Sequence, residues 1–367
     1  MRKSGYLILF FSLVIAAVGI LTIYSSTSQR EDRLWQDFYR RQALWVLLGL
    51  TVFFLVCRLN YRLFVDLGYF FYLATLTLLF LVFLLGVTRL GAQRWLHLVW
   101  FNFQPSEFAK LATIIFLARY FSKKSAYDIS LSSSSFGMLR GVIIPFIFVA
   151  IPAALIVQQP DLGSGLMLLF MFIAMLYLTP VRQKYLFIFL LILAICVPFS
   201  WCFLRDYQRE RLSVFLNPNA DPLGAGYTVI QSKIAIGSGW LWGKGWLSGT
   251  QSQLRFLPES HTDFIFATFA EEWGFLGCCV LLSLYLLLVR QGILIAQMTN
   301  DLFWKLLAYG ITFMLGIQIF INIAMNLGIA PVVGLPLPLM SYGGSSVVIT
   351  FAALGILANI DRAGGVF

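Results

Sequence analysis

Ten separate apolar runs, near 6–25, 43–57, 63–86, 106–121, 140–157, 163–179, 185–204, 263–289, 305–327 and 345–360, decide what solvent this chain folds in. A bilayer-spanning helix needs about 20 mostly apolar residues. With 60% of the 367 residues hydrophobic and 11% charged, little is left over for an independent water-soluble domain. The fold class expected is an all-α polytopic membrane protein of about ten transmembrane helices, because a helix satisfies its backbone donors and acceptors internally where no water is present. The formal charge of +10 does not indicate nucleic acid, because the basic residues lie in short stretches between apolar runs. Membrane lipids and anionic lipid-linked substrates suit that pattern better.

Ten spans put both termini on one side. With the termini inside, twelve Lys and Arg fall in the cytoplasmic pieces and six in the short outer loops, so both termini are expected to be cytoplasmic. The stretch Ser26–Gln42, with Arg30, Arg33, Arg40 and Arg41, runs against that count. The first apolar run has no small-residue cleavage site and reads as a retained signal anchor in a single integral membrane domain over 1–367. The five cysteines show no C-x-x-C spacing, and two histidines are too few for a histidine-based metal centre.

Three connections are unusual. The extracytoplasmic loop at about 205–262, between spans 7 and 8, is too long for a simple link and carries Trp240, Trp242 and Trp246 in a glycine-rich run. It also holds the basic amphipathic stretch Tyr207–Leu216, suited to the membrane interface. Gly86–Gln104 has an aromatic and basic interfacial signature around Arg94, Trp95 and His97. Ile329–Gly344 is apolar, yet Pro331, Pro336 and Pro338 rule out a regular helix. Such backbone is tolerated at membrane depth only where protein buries it or it lines a cavity.

Ionisable groups inside spans cost at least about 2.5–3.5 kcal/mol each, so each one asks for a partner or a role. Glu107 and Lys110 share a helical face and can pair, or can hold substrate. Asp161 follows Pro160 and opens an apolar run, which fits a helix cap and also a substrate contact. Asp66 and Arg119 read as snorkelling or paired groups near the cytoplasmic ends. Glu271 and Glu272 stand about two turns into the eighth span, where at least one must face a polar interior. Asp263 closes the long loop at the re-entry point, with Arg255, Glu259 and His261 within eight residues. It can cap the eighth helix, or serve as a tuned carboxylate beside an anion site.

At Gly91–Trp95, Phe103–Lys110, Gln159–Gly163, Asp221–Tyr227, Gln231–Gly239, Gly243–Trp246, His261–Phe266 and Leu337–Ser346, the chain resembles the SEDS family of shape, elongation, division and sporulation proteins. Trp240 stands where that family usually has a glycine, and Ser164 replaces a common threonine. The resemblance implies a ten-span peptidoglycan glycosyltransferase of the bacterial cytoplasmic (inner) membrane. Such an enzyme polymerises lipid II at the outer leaflet during elongation and works with a class B penicillin-binding protein transpeptidase. The family's essential carboxylate maps onto Asp263, and its glutamate and lysine of the fourth span map onto Glu107 and Lys110. The other substrate-binding candidates are Arg94, Trp95, Asp161, Arg209, Arg211, Lys233, Lys244, Arg255, His261 and Ser341.

The expected chemistry is attack by an acceptor sugar hydroxyl, at the end of a nascent glycan strand, on the anomeric carbon of a lipid-pyrophosphate donor. Asp263 would act as general base, and arginines or a divalent cation (Mg or Mn) would clamp the phosphates. No organic cofactor is needed. The alternatives are a lipid II flippase and the division-specific paralogue.

Overall fold

The computed structural model describes residues 2–28, 37–60, 62–89, 92–98, 101–128, 137–179, 181–204, 206–218, 221–222, 224 and 226–363. Arg30, Arg33 and Gly91 lie outside the described residues. The described residues form fourteen α-helices and one small sheet: α1 (Lys3–Thr27), α2 (Phe38–Arg58), α3 (Arg62–Asp66), α4 (Gly68–Leu85), β1 (Gly86–Arg89), β2 (Ala92–Leu98), β3 (Phe101–Phe103), α5 (Pro105–Asp128), α6 (Ile144–Gln158), α7 (Leu162–Tyr177), α8 (Gln183–Ser200), α9 (Asp206–Leu216), α10 (Tyr227–Ser238), α11 (Thr250–Gln253), α12 (Ile265–Gln297), α13 (Leu302–Asn326) and α14 (Gly344–Ala363). A π turn, Leu139–Ile143, leads into α6.

Among the described residues, seven helices, α1, α2, α4, α6 with its π turn, α12, α13 and α14, are long and apolar enough to cross a membrane. The shorter apolar α7 and α8 and the more polar α5 occupy the three remaining runs read from sequence as spans. Helix α5 is more polar because it runs through the middle of the bundle. Glu107, Lys110 and Arg119 are buried there along with the apolar residues between them. Helices α13 and α14 are also largely buried, whereas α2, α4 and α8 turn Leu and Phe side chains outward to where acyl chains would lie. In lipid, helix association depends on close backbone approach at small residues. A Cβ on Gly355 of α14 would lie 2.9 Å from the Phe53 carbonyl oxygen of α2.

The segment at 86–104, read from sequence only as an interfacial loop, folds as an antiparallel sheet in the order β1-β2-β3, with Val87 opposite Trp95 and His97 opposite Asn102. Its alternation was hidden by aromatic and basic side chains and by a register shift between Val87 and Thr88. Successive spans alternate in direction. The sheet, the 201–264 segment and the irregular 327–343 segment are therefore gathered at the end of the bundle where α1 finishes.

Helix α12 is interrupted. Gly274 has φ 64° and ψ −165°, a region that essentially only glycine occupies. The break frees backbone groups on both sides, and the glycine-rich loop satisfies them. Phe275 and Leu276 N–H donate to the Trp240 and Leu241 carbonyls (2.7 and 3.1 Å), while Lys244 and Gly245 N–H donate to the Glu271 and Glu272 carbonyls (3.0 Å each). Trp240 takes φ +48°, the left-handed conformation a glycine would adopt there without strain.

Candidate active site

Asp263 is the last residue but one before α12, so its backbone lies outside any helical ladder. Every carbonyl from Ser260 to Asp263 is instead taken by a partner distant in sequence or on the next turn. Ser260 O accepts from Thr268 Oγ1 (3.2 Å), His261 O from Tyr342 N–H (2.9 Å) and Thr262 O from Ser341 Oγ (2.6 Å). Asp263 O accepts from Asn322 Nδ2 and Asn326 Nδ2 (3.1 and 3.0 Å).

The carboxyl faces Gly334 in the irregular segment. Gly334 has φ +72°, and a Cβ there would meet Asp263 Oδ2 at 3.7 Å and Arg94 Nη1 at 3.8 Å. An acid and a guanidinium therefore border the same gap in front of a residue with no side chain. Burial, then the neighbouring Glu259, push the Asp263 carboxyl up from 3.8 to about 6, with Asp161 adding to the rise; Arg211 and Arg94 pull the other way. Such a carboxylate is ionised at neutral pH yet basic enough to accept a proton.

Arg94 sits on β2 and ties the sheet to the start of α7. Its Nε donates to the Gln159 carbonyl (3.2 Å), its Nη2 donates to the Pro160 carbonyl, and Nη1 lies 3.9 Å from Asp161 Oδ1. Asp161 is the α7 cap, accepting from Ser164 N–H at 3.3 Å, and also accepts from Ser106 Oγ at 3.2 Å. Trp95 is half-buried on β2.

On α5, Lys110 Nζ pairs with Glu107 Oε1 at 2.8 Å and donates to Gln318 Oε1 at 3.1 Å, all three buried. Gln318 passes the connection on by donating to the Pro336 carbonyl at 2.9 Å. The fourth-span pair thus reaches the Gly334 segment through a glutamine.

The remaining candidates divide. Arg211 donates to the Val332 carbonyl (3.1 Å) and acts electrostatically on Asp263. Lys233 lies over Gly328, where a Cβ would meet its Nζ at 2.7 Å. Arg209 ties α9 to the Trp201 and Cys202 carbonyls (3.2 Å each). Lys244 pairs with Glu271 at 2.7 Å, and the same Glu271 oxygen accepts from Thr250 N–H at 2.8 Å. Arg255 is exposed at φ +64°. His261 is buried beside Phe38 and Tyr342, which stack at 4.5 Å. Ser341 Oγ accepts from Leu337 N–H at 2.8 Å while donating to Thr262, closing the turn after the prolines. Glu272, expected two turns inside the eighth span, stands before the Gly274 break and accepts a hydrogen bond from Ser25 Oγ of α1.

Three residues escaped the sequence reading: Gln318, Asn322 and Asn326, spaced four apart on one face of α13. Neutral amides carry no charge to attract notice, but their i, i+4, i+8 spacing inside an apolar helix was the available signal.

The family model described as cell cycle protein, FtsW/RodA/SpoVE, matches residues 6–364. The chain belongs to this family. This SEDS chain is 40% identical over 353 residues to peptidoglycan glycosyltransferase MrdB of Escherichia coli K12, covering 96% of this chain and 92% of MrdB. It is 34% identical to stage V sporulation protein E of Bacillus subtilis, covering 97% and 96% of the two chains. Among solved structures, a chain of a peptidoglycan synthase complex coordinating polymerization and crosslinking superposes with a TM-score of 0.79 at 32% identity, covering 97% of each chain. The rod shape determining protein RodA of Thermus thermophilus gives 0.70 at 29%, covering 97% and 96%. Membership and the apolar helices make this SEDS chain a multi-pass protein of the bacterial inner membrane.

Proposed function

We propose that this chain polymerises lipid II into glycan strands, with Asp263 as general base. Glycosyl transfer in peptidoglycan synthesis is the activity its curated relatives are named for. The observation that carries the assignment of roles is the Gly334 gap, bordered by the Asp263 carboxyl on one side and the Arg94 guanidinium on the other. The acceptor 4-hydroxyl gives its proton to Asp263 as its oxygen bonds to the donor's anomeric carbon. The bond from that carbon to the pyrophosphate oxygen breaks, and the lipid pyrophosphate departs with the electron pair. A single displacement inverts the anomeric carbon.

The leaving group is good, so the second requirement is charge stabilisation rather than a strong acid. Arg94 and Arg211, the two cations that bear electrostatically on Asp263, are placed to supply it. Among the described residues no cluster of three or more His, Cys, Asp or Glu stands ready to hold a metal. A divalent ion arriving with the donor would take most of its ligands from phosphate oxygens, the usual arrangement for Mg2+. The reactive end is extracytoplasmic in this reading, with both termini cytoplasmic, and the glycan product is handed to a class B penicillin-binding protein. The superposition on a synthase complex chain supports that pairing.

The test is purified wild type and Asp263→Asn incubated with labelled lipid II, with and without divalent metal, followed by gel analysis of glycan length. Long glycans from wild type and none from the variant are expected. Wild-type glycans from Asp263→Asn would remove the base.

A further inference from the structure

We propose that Asn322 and Asn326, one turn apart on α13, are positioning residues that hold the main chain of Asp263 so that its carboxyl faces the Gly334 gap. The inference rests on the reading of Asp263 as the base. Both asparagines are fully buried, and both Nδ2 groups reach the same acceptor, the Asp263 carbonyl, at 3.1 and 3.0 Å. One donor satisfies a buried carbonyl; a second makes its position over-determined.

Each asparagine also fixes something else. Asn322 Nδ2 donates to the Leu335 carbonyl at 2.7 Å, so a single amide bridges the base and the residue next to Gly334. Asn326 Oδ1 accepts from Ala267 N–H at 3.2 Å, a first-turn donor of α12 shared with the Phe264 carbonyl (3.1 Å), and its Nδ2 donates to the Asn322 carbonyl at 2.8 Å. Four residues earlier, Gln318 donates to the Pro336 carbonyl. One face of α13 thereby sets the two walls of the gap, the Asp263 turn and the 334–336 segment, against a single rigid rod. A displacement of about 1 Å in such a constellation costs about 10²-fold in rate.

The test uses full-length protein in detergent, with Asn322→Ala, Asn326→Ala, the double variant and Asp263→Asn assayed side by side for lipid II polymerisation across pH 4–9. Serine variants replace any alanine variant that does not fold. Each single asparagine variant should lose about tenfold or more in kcat with KM for lipid II little changed. The double variant should lose less than the product of the singles, because both act on one carbonyl. The acid limb of the rate profile should move to lower pH as the carboxyl gains solvent, while the facing groups Glu259, Arg211, Arg94 and Asp161 are unaltered. A lowered melting temperature with wild-type kcat and an unmoved acid limb would overturn the inference, leaving the amides a packing role only. An inactive Asp263→Asn beside such variants removes the positioning role alone, whereas an active Asp263→Asn removes the base and this inference with it.

Discussion

At the scale of single residues, the raised value of the Asp263 carboxyl has consequences of opposite sign for rate and for stability. The base works only when ionised, so polymerisation should rise as pH increases through about 6 and fall away below it. A rate profile with its acid limb near pH 4 would show a solvated, unperturbed carboxyl. Because folding raises this group's affinity for protons above the ordinary 3.8, its contribution to stability is fully present below about pH 4 and is lost as pH climbs through 6. Asp263→Asn should therefore lose about 10²–10⁴-fold in activity while melting no lower than wild type at neutral pH, which detergent thermal unfolding would show. Much of this was legible in the chain: an aspartate at a membrane re-entry point, and a glutamate and lysine three residues apart. What could not be read was who holds them. The Asp263 carbonyl is taken by side chains 59 and 63 residues away, and the Lys110 ammonium by a glutamine 208 residues away.

Elements carry the next set of expectations. Gly274→Ala places a Cβ 2.2 Å from the Gly243 amide nitrogen and forces alanine into a conformation it does not tolerate. Strain of this kind costs about 1–3 kcal/mol or more, so the variant should melt well below wild type and lose activity with it. On α5, Lys110→Glu sets two acids together in the buried centre of the bundle and should damage both folding and activity. Exchanging Glu107 and Lys110 should recover part of the loss, the remainder reflecting the donor that Gln318 no longer receives. Double-mutant thermal unfolding measures both; additive losses would mean that the 2.8 Å pair contributes no coupling. The helices themselves were readable, since uninterrupted apolar runs fix their existence, although some ends were not: Asp128 and Gln297 close their helices about seven and eight residues beyond the apolar runs. The sheet was not readable, because strands of four, seven and three residues leave no period long enough to detect.

For the whole molecule, the gathering of the sheet, the 201–264 segment and the 327–343 segment at one end makes sidedness testable at one position. A Ser248→Cys variant in a background free of the five native cysteines should react with an impermeant maleimide added outside intact cells. Labelling only after the membrane is opened would invert the topology. The interruption at Gly274 also sets where the eighth crossing begins. An unbroken helix of 33 residues would be about 50 Å long, against a hydrocarbon slab of about 30 Å. Counted from Phe275, the remaining rod is about 35 Å, a length that crosses with a modest tilt. The two adjacent acids, Glu271 and Glu272, accordingly precede the rod that crosses, on the side of the break where the glycine-rich loop packs.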